Sequence, residues 1–346
     1  MSTALVTGAG GFLARHVVTA LLDAGWSVRG LARAEGPSLA HVPARAVPVD
    51  ADLRDRGAVR SAARGCDAVF HVAATYTLSR RRGPTVIRDD VDATASVLAA
   101  CRAANVPLVH TSSVATIGQP GDGTPGNEQA ALLSSQLVGA YKHAKLATEL
   151  MVADAAQEGL HAVIVNPTAP VGPGDWRPTP TGRVVRDAAM GRLPAVVHTG
   201  LNVVAAEDVA AGHLLALEAG RPGRRYILGG EDMTLAEVVA EASRAAGRPP
   251  PTRVIPHSLA IAVSAVDEAV EGWALGREPR APLDGALMAR KTMYASSARA
   301  REELGYAPGP AAPAIAAAVD WYFEGTAAPD KISTEETAQR AGGSAS

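Results

Sequence analysis

Tyr141 and Lys145 stand four residues apart in the run Tyr141-Lys142-His143-Ala144-Lys145. On a helix that spacing places both side chains on one face. A Tyr hydroxyl is a weak acid, with a reference pKa of about 10. An ammonium beside it stabilises the phenolate, so Lys145 is expected to lower the Tyr141 pKa and make it a usable proton donor. The spacing alone occurs in many helices, and it gains meaning from two upstream runs. Thr111-Ser112-Ser113-Val114-Ala115-Thr116 ends an apolar run. A Ser there can donate a hydrogen bond to a substrate carbonyl; the alternative role is to cap the turn. Thr7-Gly8-Ala9-Gly10-Gly11-Phe12-Leu13-Ala14 joins an apolar run to a helical pattern. Glycines at such a junction permit a tight turn and let a pyrophosphate approach the free N–H groups of the helix that follows.

The glycine turn fits the spacing Gly8-x-x-Gly11-x-x-Ala14, with Gly10 between. The third glycine of the two-domain dehydrogenase pattern is absent, because Leu13 stands there. The end of the second strand bears on which dinucleotide is held. An acid there suits the ribose hydroxyls of NAD, but the chain reads Arg29-Gly30-Leu31-Ala32-Arg33, with no acid before Glu35. Arg33 can pair with a 2′-phosphate, which favours NADP(H), with NAD(H) as the second choice. Asp52-Leu53, after the third strand, can flank the adenine. Ala73-Ala74, after the fourth, offers small residues beside the cofactor.

These residues need a scaffold, and the periodicity supplies one. Short apolar runs at 4–6, 27–32, 46–49, 68–72, 108–111 and 162–165 read as strands. Phe12, Leu13, Val17, Ala20, Leu21 and Ala24 follow a helical period that Gly25 ends, and helices are expected over 91–104, 137–157 and 234–246. Repeated β-α units predict an α/β fold, a doubly wound parallel Rossmann sheet with a smaller C-terminal substrate-binding lobe. The expected division is a dinucleotide-binding domain over 1–166, with 201–222 returning to it. Residues 167–200 and 223–325 then form the lobe, and 326–346 a disordered polar tail. The prolines and glycines between Pro167 and Gly182 are expected to break regular structure where the chain crosses over. Tyr226-Ile227-Leu228-Gly229-Gly230 reads as a strand of the lobe.

The 346 residues carry a formal net charge of −2 and are 47% hydrophobic. That argues against a nucleic-acid partner. Arg80-Arg81-Arg82 reads as a solvated loop. Cys66 and Cys101 are too few for a disulfide framework or a cysteine zinc site, so no metal and a reduced, cytoplasmic setting are expected. No cleavable signal is read before the first strand. No membrane span is expected either: the best apolar stretch, 259–270, is short and contains Asp267.

Taken in order, Thr7-Gly8-x-x-Gly11-Phe12, Asp52-Leu53-Arg54, His71-Val72-Ala73-Ala74, Thr111-Ser112-Ser113, Tyr141-x-x-x-Lys145, Asn166-Pro167, Gly172-Pro173, Ser296-Ser297-Ala298-Arg299-Ala300 and Glu303-Leu304-Gly305-Tyr306 resemble the extended short-chain dehydrogenase/reductase family, also labelled NAD-dependent epimerase/dehydratase. The resemblance spans about residues 3–325. Pro178-Thr179-Pro180-Thr181-Gly182-Arg183 and 226–230 look like its hopanoid-associated sugar epimerase branch, itself similar to dihydroflavonol reductases. The resemblance implies Tyr141 as general acid/base and Lys145 as the group that holds the nicotinamide ribose. It also implies Ser113, counted back from Gly118, as the residue that polarises the carbonyl. Gly8, Gly10, Gly11, Phe12 and Leu13 would line the pyrophosphate, and Pro167 and Thr168 would border the nicotinamide. It further implies a homodimer through the long helices near 89–104 and 137–157.

Departures from the family pattern weigh on the reaction. Asp90 stands where a helix Asn is expected, Ala205 where a His is usual, and Gly200-Leu201 where nucleotide-sugar enzymes often place an Arg for the diphosphate. Dehydratases need an acid pair after the catalytic Ser, but Val114-Ala115 follows here. Arg33 likewise departs from epimerases that retain NAD. The reading is therefore an NADP(H)-dependent oxidoreductase that reduces a ketone or aldehyde of a secondary metabolite. The alternatives are a sugar epimerase or dehydratase and, in a different class, a protein that binds NADP(H) without turnover. The small-molecule substrate is expected against the second lobe, near Trp176, Arg177, Arg183 and His198, with Trp176 equally suited to packing. His143 is expected to point off the Tyr/Lys face.

Overall fold

A computed structural model describes residues 1–34, 38–75, 83–120, 123–275, 279 and 283–326. Both Arg80-Arg81-Arg82 and the tail beyond Thr326 lie outside the described residues. The six expected strands form as β1 (Thr3–Thr7), β2 (Ser27–Ala32), β3 (Val47–Asp50), β4 (Ala68–His71), β5 (Leu108–Thr111) and β6 (Ala162–Pro167). Four more follow: β7 (Ala169–Val171), β8 (Gly200–Ala205), β9 (Arg225–Leu228) and β10 (Glu231–Thr234). Among the described residues the central sheet has seven strands, in the order β3-β2-β1-β4-β5-β6-β9. All of its pairings are parallel. The strand order reverses between β1 and β4, which opens a crevice at their carboxyl ends, next to the glycine turn.

Both faces of the sheet are covered, which is why its strands read as continuous apolar runs rather than alternating ones. Ala4 and Val6 point into a core shared with α1 (Phe12–Asp23) and, further along the chain, α6 (Ala206–Ala219). Leu5 points the other way, into a core with α2 (Arg56–Ala63), α3 (Gly83–Ala104) and α4 (Gly139–Gln157). Each fully buried Val, Leu or Ile here contributes about 1.5–3 kcal/mol of transfer free energy. Glycines end two of these elements: Gly25, with φ +83°, follows α1, and Gly139, with φ +78°, starts α4.

The second lobe has its own core and a three-stranded sheet ordered β10-β8-β7. It packs α5 (Pro180–Ala189), α7 (Leu235–Ala245) and α11 (Ala311–Thr326) together. Three sequence expectations need correction here. The proline-rich stretch does not simply break structure: it holds β7 and α5. Pro180 occupies the first turn of α5, where its missing N–H costs nothing, and the Thr179 hydroxyl caps the helix by accepting from Gly182 N–H. Residues 201–222, expected to return to the dinucleotide-binding domain, are divided: α6 packs in the core of the central sheet, whereas β8 pairs with β7 and β10. Conversely, β9, expected in the lobe, pairs in parallel with β6 at the edge of the central sheet. Tyr226, Ile227 and Leu228 are fully buried there. A strand's neighbours depend on distant segments, and so local periodicity reveals the strand but not its sheet.

Candidate active site

Helix α4 presents Tyr141, Lys145 and Glu149 at successive four-residue steps, hence on one face. Opposite them the chain leaves β5 and passes Ser112 and Ser113 into a single turn at 114–116. Ser113 caps that turn, its Oγ accepting from Ala115 N–H at 3.2 Å, and its hydroxyl also hydrogen-bonds to Tyr141. Ser112 faces elsewhere: it donates to Glu149 Oε2 at 2.5 Å. The two adjacent serines are thus divided, one toward Tyr141 and one into the buried polar support.

Lys145 is 4% exposed and donates from Nζ to the Thr111 carbonyl at 2.7 Å. Burial lowers its pKa, while Asp90 and Glu149 act to raise it. Tyr141 departs from the sequence expectation. Burial pushes its hydroxyl above the usual range, the Asp90 carboxylate pushes the same way, and the hydrogen bond with Ser113 opposes both. The expected lowering by Lys145 is not what the geometry produces, because the ammonium is directed at Thr111 and burial dominates. Asp90 is 8% exposed, and its Oδ1 accepts from Thr75 N–H at 3.0 Å. Burial raises its pKa, and Lys145 is the largest influence the other way.

Beneath this group lie two buried imidazoles. His71 sits between Thr7 Oγ1 at 2.8 Å and Thr94 Oγ1 at 3.2 Å, and burial lowers its pKa to about 3. His110 lies 5.3 Å from His71, ring centroid to centroid, and burial drives its pKa well below the ordinary value. Burial thus disfavours the charged form of both imidazoles, and the Lys145 charge acts in the same direction on each. His143 lies exposed, with Nδ1 bonded to the Gly139 carbonyl, off the Tyr/Lys face as expected.

The glycine turn shows close approach as well as backbone freedom. Gly8 has φ +69°, and a Cβ there would lie 2.8 Å from Ala73 Cα. A Cβ on Gly10 would lie 1.7 Å from the Ser38 carbonyl oxygen. Gly11 donates its N–H to the Gly8 carbonyl at 2.7 Å and precedes α1 without a side-chain cap. The first N–H groups of α1, beginning at Phe12 and Leu13, therefore face the crevice as anion-binding donors. The cradle fits a dinucleotide pyrophosphate. Ala73 borders the turn, its N–H bonded to Thr7 Oγ1 at 3.2 Å, and Ala74 is exposed next to it. Pro167 ends β6, and Thr168 donates its N–H to Leu228. Arg33 follows β2, exposed, and acts electrostatically on Asp52 at the end of β3. The Asp52 carboxyl, held mainly by Arg54 at 2.7 Å, has its pKa lowered to about 2. Leu53 is half-buried beside it.

Of the two roles open to Trp176 in the sequence, pocket wall or packing, its contacts are those of packing. Its indole N–H donates to the Gly10 carbonyl at 2.8 Å, and its ring stacks on His41 at 4.1 Å. The loop that carries it also meets α1, where the Pro173 carbonyl bonds His16 Nε2 at 2.9 Å. Trp176 therefore joins the second lobe to the glycine turn. Sequence reading missed Glu149, Asn166, Arg225 and His41 as parts of the site. The spacing of Glu149, one turn beyond Lys145, was the one available signal.

A model of the NAD dependent epimerase/dehydratase family matches residues 4–229, which take in the glycine turn, Ser113, Tyr141 and Lys145. The chain belongs to that family. A protein of Synechocystis sp. that carries the provisional name dihydroflavonol 4-reductase is 39% identical over 92% of this chain and 93% of its own length. Sterol demethylase protein B of Methylococcus capsulatus is 32% identical over 93% of this chain and 98% of its own. The crystal structure of gox2253, 38% identical, superposes with a TM-score of 0.81 over 94% of this chain and 99% of that one. The protein is an NAD(P)-dependent enzyme of the short-chain dehydrogenase/reductase type. Among the described residues, no helix is long and apolar enough to cross a membrane.

Proposed function

We propose that this enzyme uses NADPH to reduce the carbonyl of a small metabolite, with Ser113, Tyr141 and Lys145 as its catalytic residues. The observation that carries this reading is the meeting of Tyr141 with Ser113, beside a buried Lys145, at the carboxyl ends of the central strands. A nicotinamide cofactor held at the glycine turn would supply the hydride that reduces the carbonyl carbon. The Ser113 hydroxyl donates a hydrogen bond to the carbonyl oxygen and draws charge onto it. The Tyr141 O–H then delivers the proton to that oxygen, which yields the alcohol. A phenol whose pKa burial has raised holds its proton until negative charge develops nearby, as a general acid for alkoxide formation requires. Lys145 supplies the positive charge that stabilises the resulting phenolate, and it would hold the nicotinamide ribose. Ser113 and Lys145 are buried, which strengthens the interactions they make.

Arg33 supports NADP(H) over NAD(H), because it is an exposed cation at the end of β2 where a 2′-phosphate could meet it. A homodimer through α3 and α4 is part of the same proposal; Leu150 on α4 leaves 54% of its surface exposed. The family label keeps one competing reading, a sugar epimerase that retains its cofactor. Purified protein that carries tightly held NAD, visible by absorbance and released on denaturation, would favour that competitor. The direct test is reduction of a carbonyl panel (aliphatic ketones, β-keto acids, aromatic aldehydes and dihydroflavonols) with NADPH. Wild-type turnover that Tyr141→Phe abolishes is the expected result. No turnover of any member, or a Phe variant as active as wild type, refutes the reading.

A further inference from the structure

Glu149 is 4% exposed, yet donors surround its carboxyl group. Oε2 accepts from Ser112 Oγ at 2.5 Å, Thr116 Oγ1 at 2.7 Å and Asn166 Nδ2 at 2.8 Å. Oε1 accepts from Arg225 Nη1 at 3.0 Å. These are the surroundings of a carboxylate. Two of the same donors also reach Ser113: its carbonyl lies 3.1 Å from Asn166 Nδ2 and 2.9 Å from Thr116 Oγ1. Glu149 therefore gathers the groups that hold the Ser113 backbone, on the same helix face that presents Tyr141 and Lys145.

The anchor continues away from the site. The Arg225 guanidinium donates to the Glu128 carbonyl, and the Glu128 carboxylate accepts from Ile227 N–H at 2.9 Å. Arg299 donates to the Arg225 carbonyl at 3.2 Å. A C-terminal arginine and an edge strand are thereby tied to the loop after β5. Glu149 also acts on Lys145, where it and Asp90 favour the ammonium against burial. The groups that face Lys145 are Asp90 from α3, Tyr141 and Glu149 from α4, and the neutral His71 and His110 from β4 and β5.

We propose that Glu149 is the positioning residue of this site: through Ser112, Thr116 and Asn166 it sets the register of Ser113 against Tyr141 and Lys145. The inference rests on the reductase reading above. Two variants separate its parts. Glu149→Gln keeps the size, removes the charge and disrupts the cluster of acceptors. Thr116→Val removes one tie between Glu149 and Ser113 and leaves every charge in place.

Steady-state kinetics use whichever carbonyl of the panel the wild-type enzyme reduces fastest, and NADPH affinity comes from fluorescence titration. For Glu149→Gln, kcat is expected to fall about 30-fold while KM and the NADPH Kd stay within about 3-fold. For Thr116→Val, kcat falls about 5-fold with KM and the NADPH Kd again within about 3-fold. Thr116→Val also carries the test of positioning if the Gln variant does not fold. A Gln variant with wild-type kcat overturns the inference, and so does a Val variant with wild-type kcat. A fall in kcat matched by an equal loss of NADPH affinity overturns it too, because that marks general disruption. A Tyr141→Phe enzyme as active as wild type instead removes the reductase reading itself.

Discussion

Asp90→Asn isolates a charge from a hydrogen bond. The Asp90 carboxylate accepts from Thr75 N–H at 3.0 Å, and the Asn amide oxygen can accept the same bond, so the loop after β4 keeps its anchor. What disappears is a buried negative charge that acts on both members of the Tyr141/Lys145 pair. At an effective dielectric of about 20, a buried charge that acts on a neighbouring group is worth on the order of 1–2 kcal/mol, or about one pH unit. Asp90 raises the Tyr141 pKa, so its removal lowers it. Reduction requires the protonated phenol, and activity is lost as pH rises through that pKa. The alkaline limb of the kcat profile of Asp90→Asn is therefore expected to move down by about one unit, after allowance for partial screening. Stability provides an independent check of sign. The Asp90 pKa is raised in the folded state, so its favourable contribution is present at low pH and lost as pH rises through the folded value. The Asn variant should melt above wild type at alkaline pH, and the difference should shrink on acidification. Profiles that superimpose across the whole pH range would show that Asp90 is not felt at the reacting proton, and the electrostatic account of this site would fail.

Other outcomes follow from single contacts. Arg33→Ala is expected to weaken NADPH binding by about 10-fold or more while changing NADH binding little, by loss of a charge-assisted contact; equal loss for both in fluorescence titration removes the case for NADP(H). Trp176→Phe keeps a ring that can stack on His41 but deletes the 2.8 Å donation to the Gly10 carbonyl. The loss of about 1 kcal/mol should raise the NADPH Kd by about 5-fold if the contact orders the glycine turn. Leu150→Glu places a charge on the exposed face of α4 and should convert a dimer to monomers in sedimentation equilibrium, with the melting temperature little changed.

Much of the scaffold could be read from local pattern because local pattern determines it. A continuous apolar run of four to six residues marks a strand buried on both faces, and the glycine turn marks the switch to a helix. The failures share a cause. β9 was legible as a strand, but its partner β6 lies far from it along the chain, with β7, α5, β8 and α6 between them, so no local pattern could show the pairing. β7 and α5 lay hidden among prolines, because the rule that Pro interrupts helices reverses at the first helical turn. In the site, the residue types and the i,i+4 spacing were visible, whereas the direction of the Tyr141 pKa was not. That direction depends on burial and on Asp90 from another helix, neither of which the local run contains.

The two serines after β5 show where the chemistry is specified. In an extended chain, successive side chains point to opposite sides, and Ser113 is extended, with φ −160° and ψ 153°. Ser112 therefore meets Glu149 in the interior while Ser113 meets Tyr141 in the crevice. A slip of one residue would exchange them: it would leave a hydroxyl of the wrong register near the carbonyl and detach the interior carboxylate from one of its donors. The slip is opposed on both sides of the pair. Lys145 grips the Thr111 carbonyl just before it, and Thr116, just after it, is held to Glu149 one turn along the same helix. Lys145 and Glu149 thus clamp the ends of the segment that carries Ser113, which couples the Lys145 ammonium to the register of the residue proposed to polarise the carbonyl. The Tyr141/Lys145 spacing is common in helices, but a helix that also fixes this register is far more restrictive, and it is this combination on which the proposed carbonyl chemistry rests.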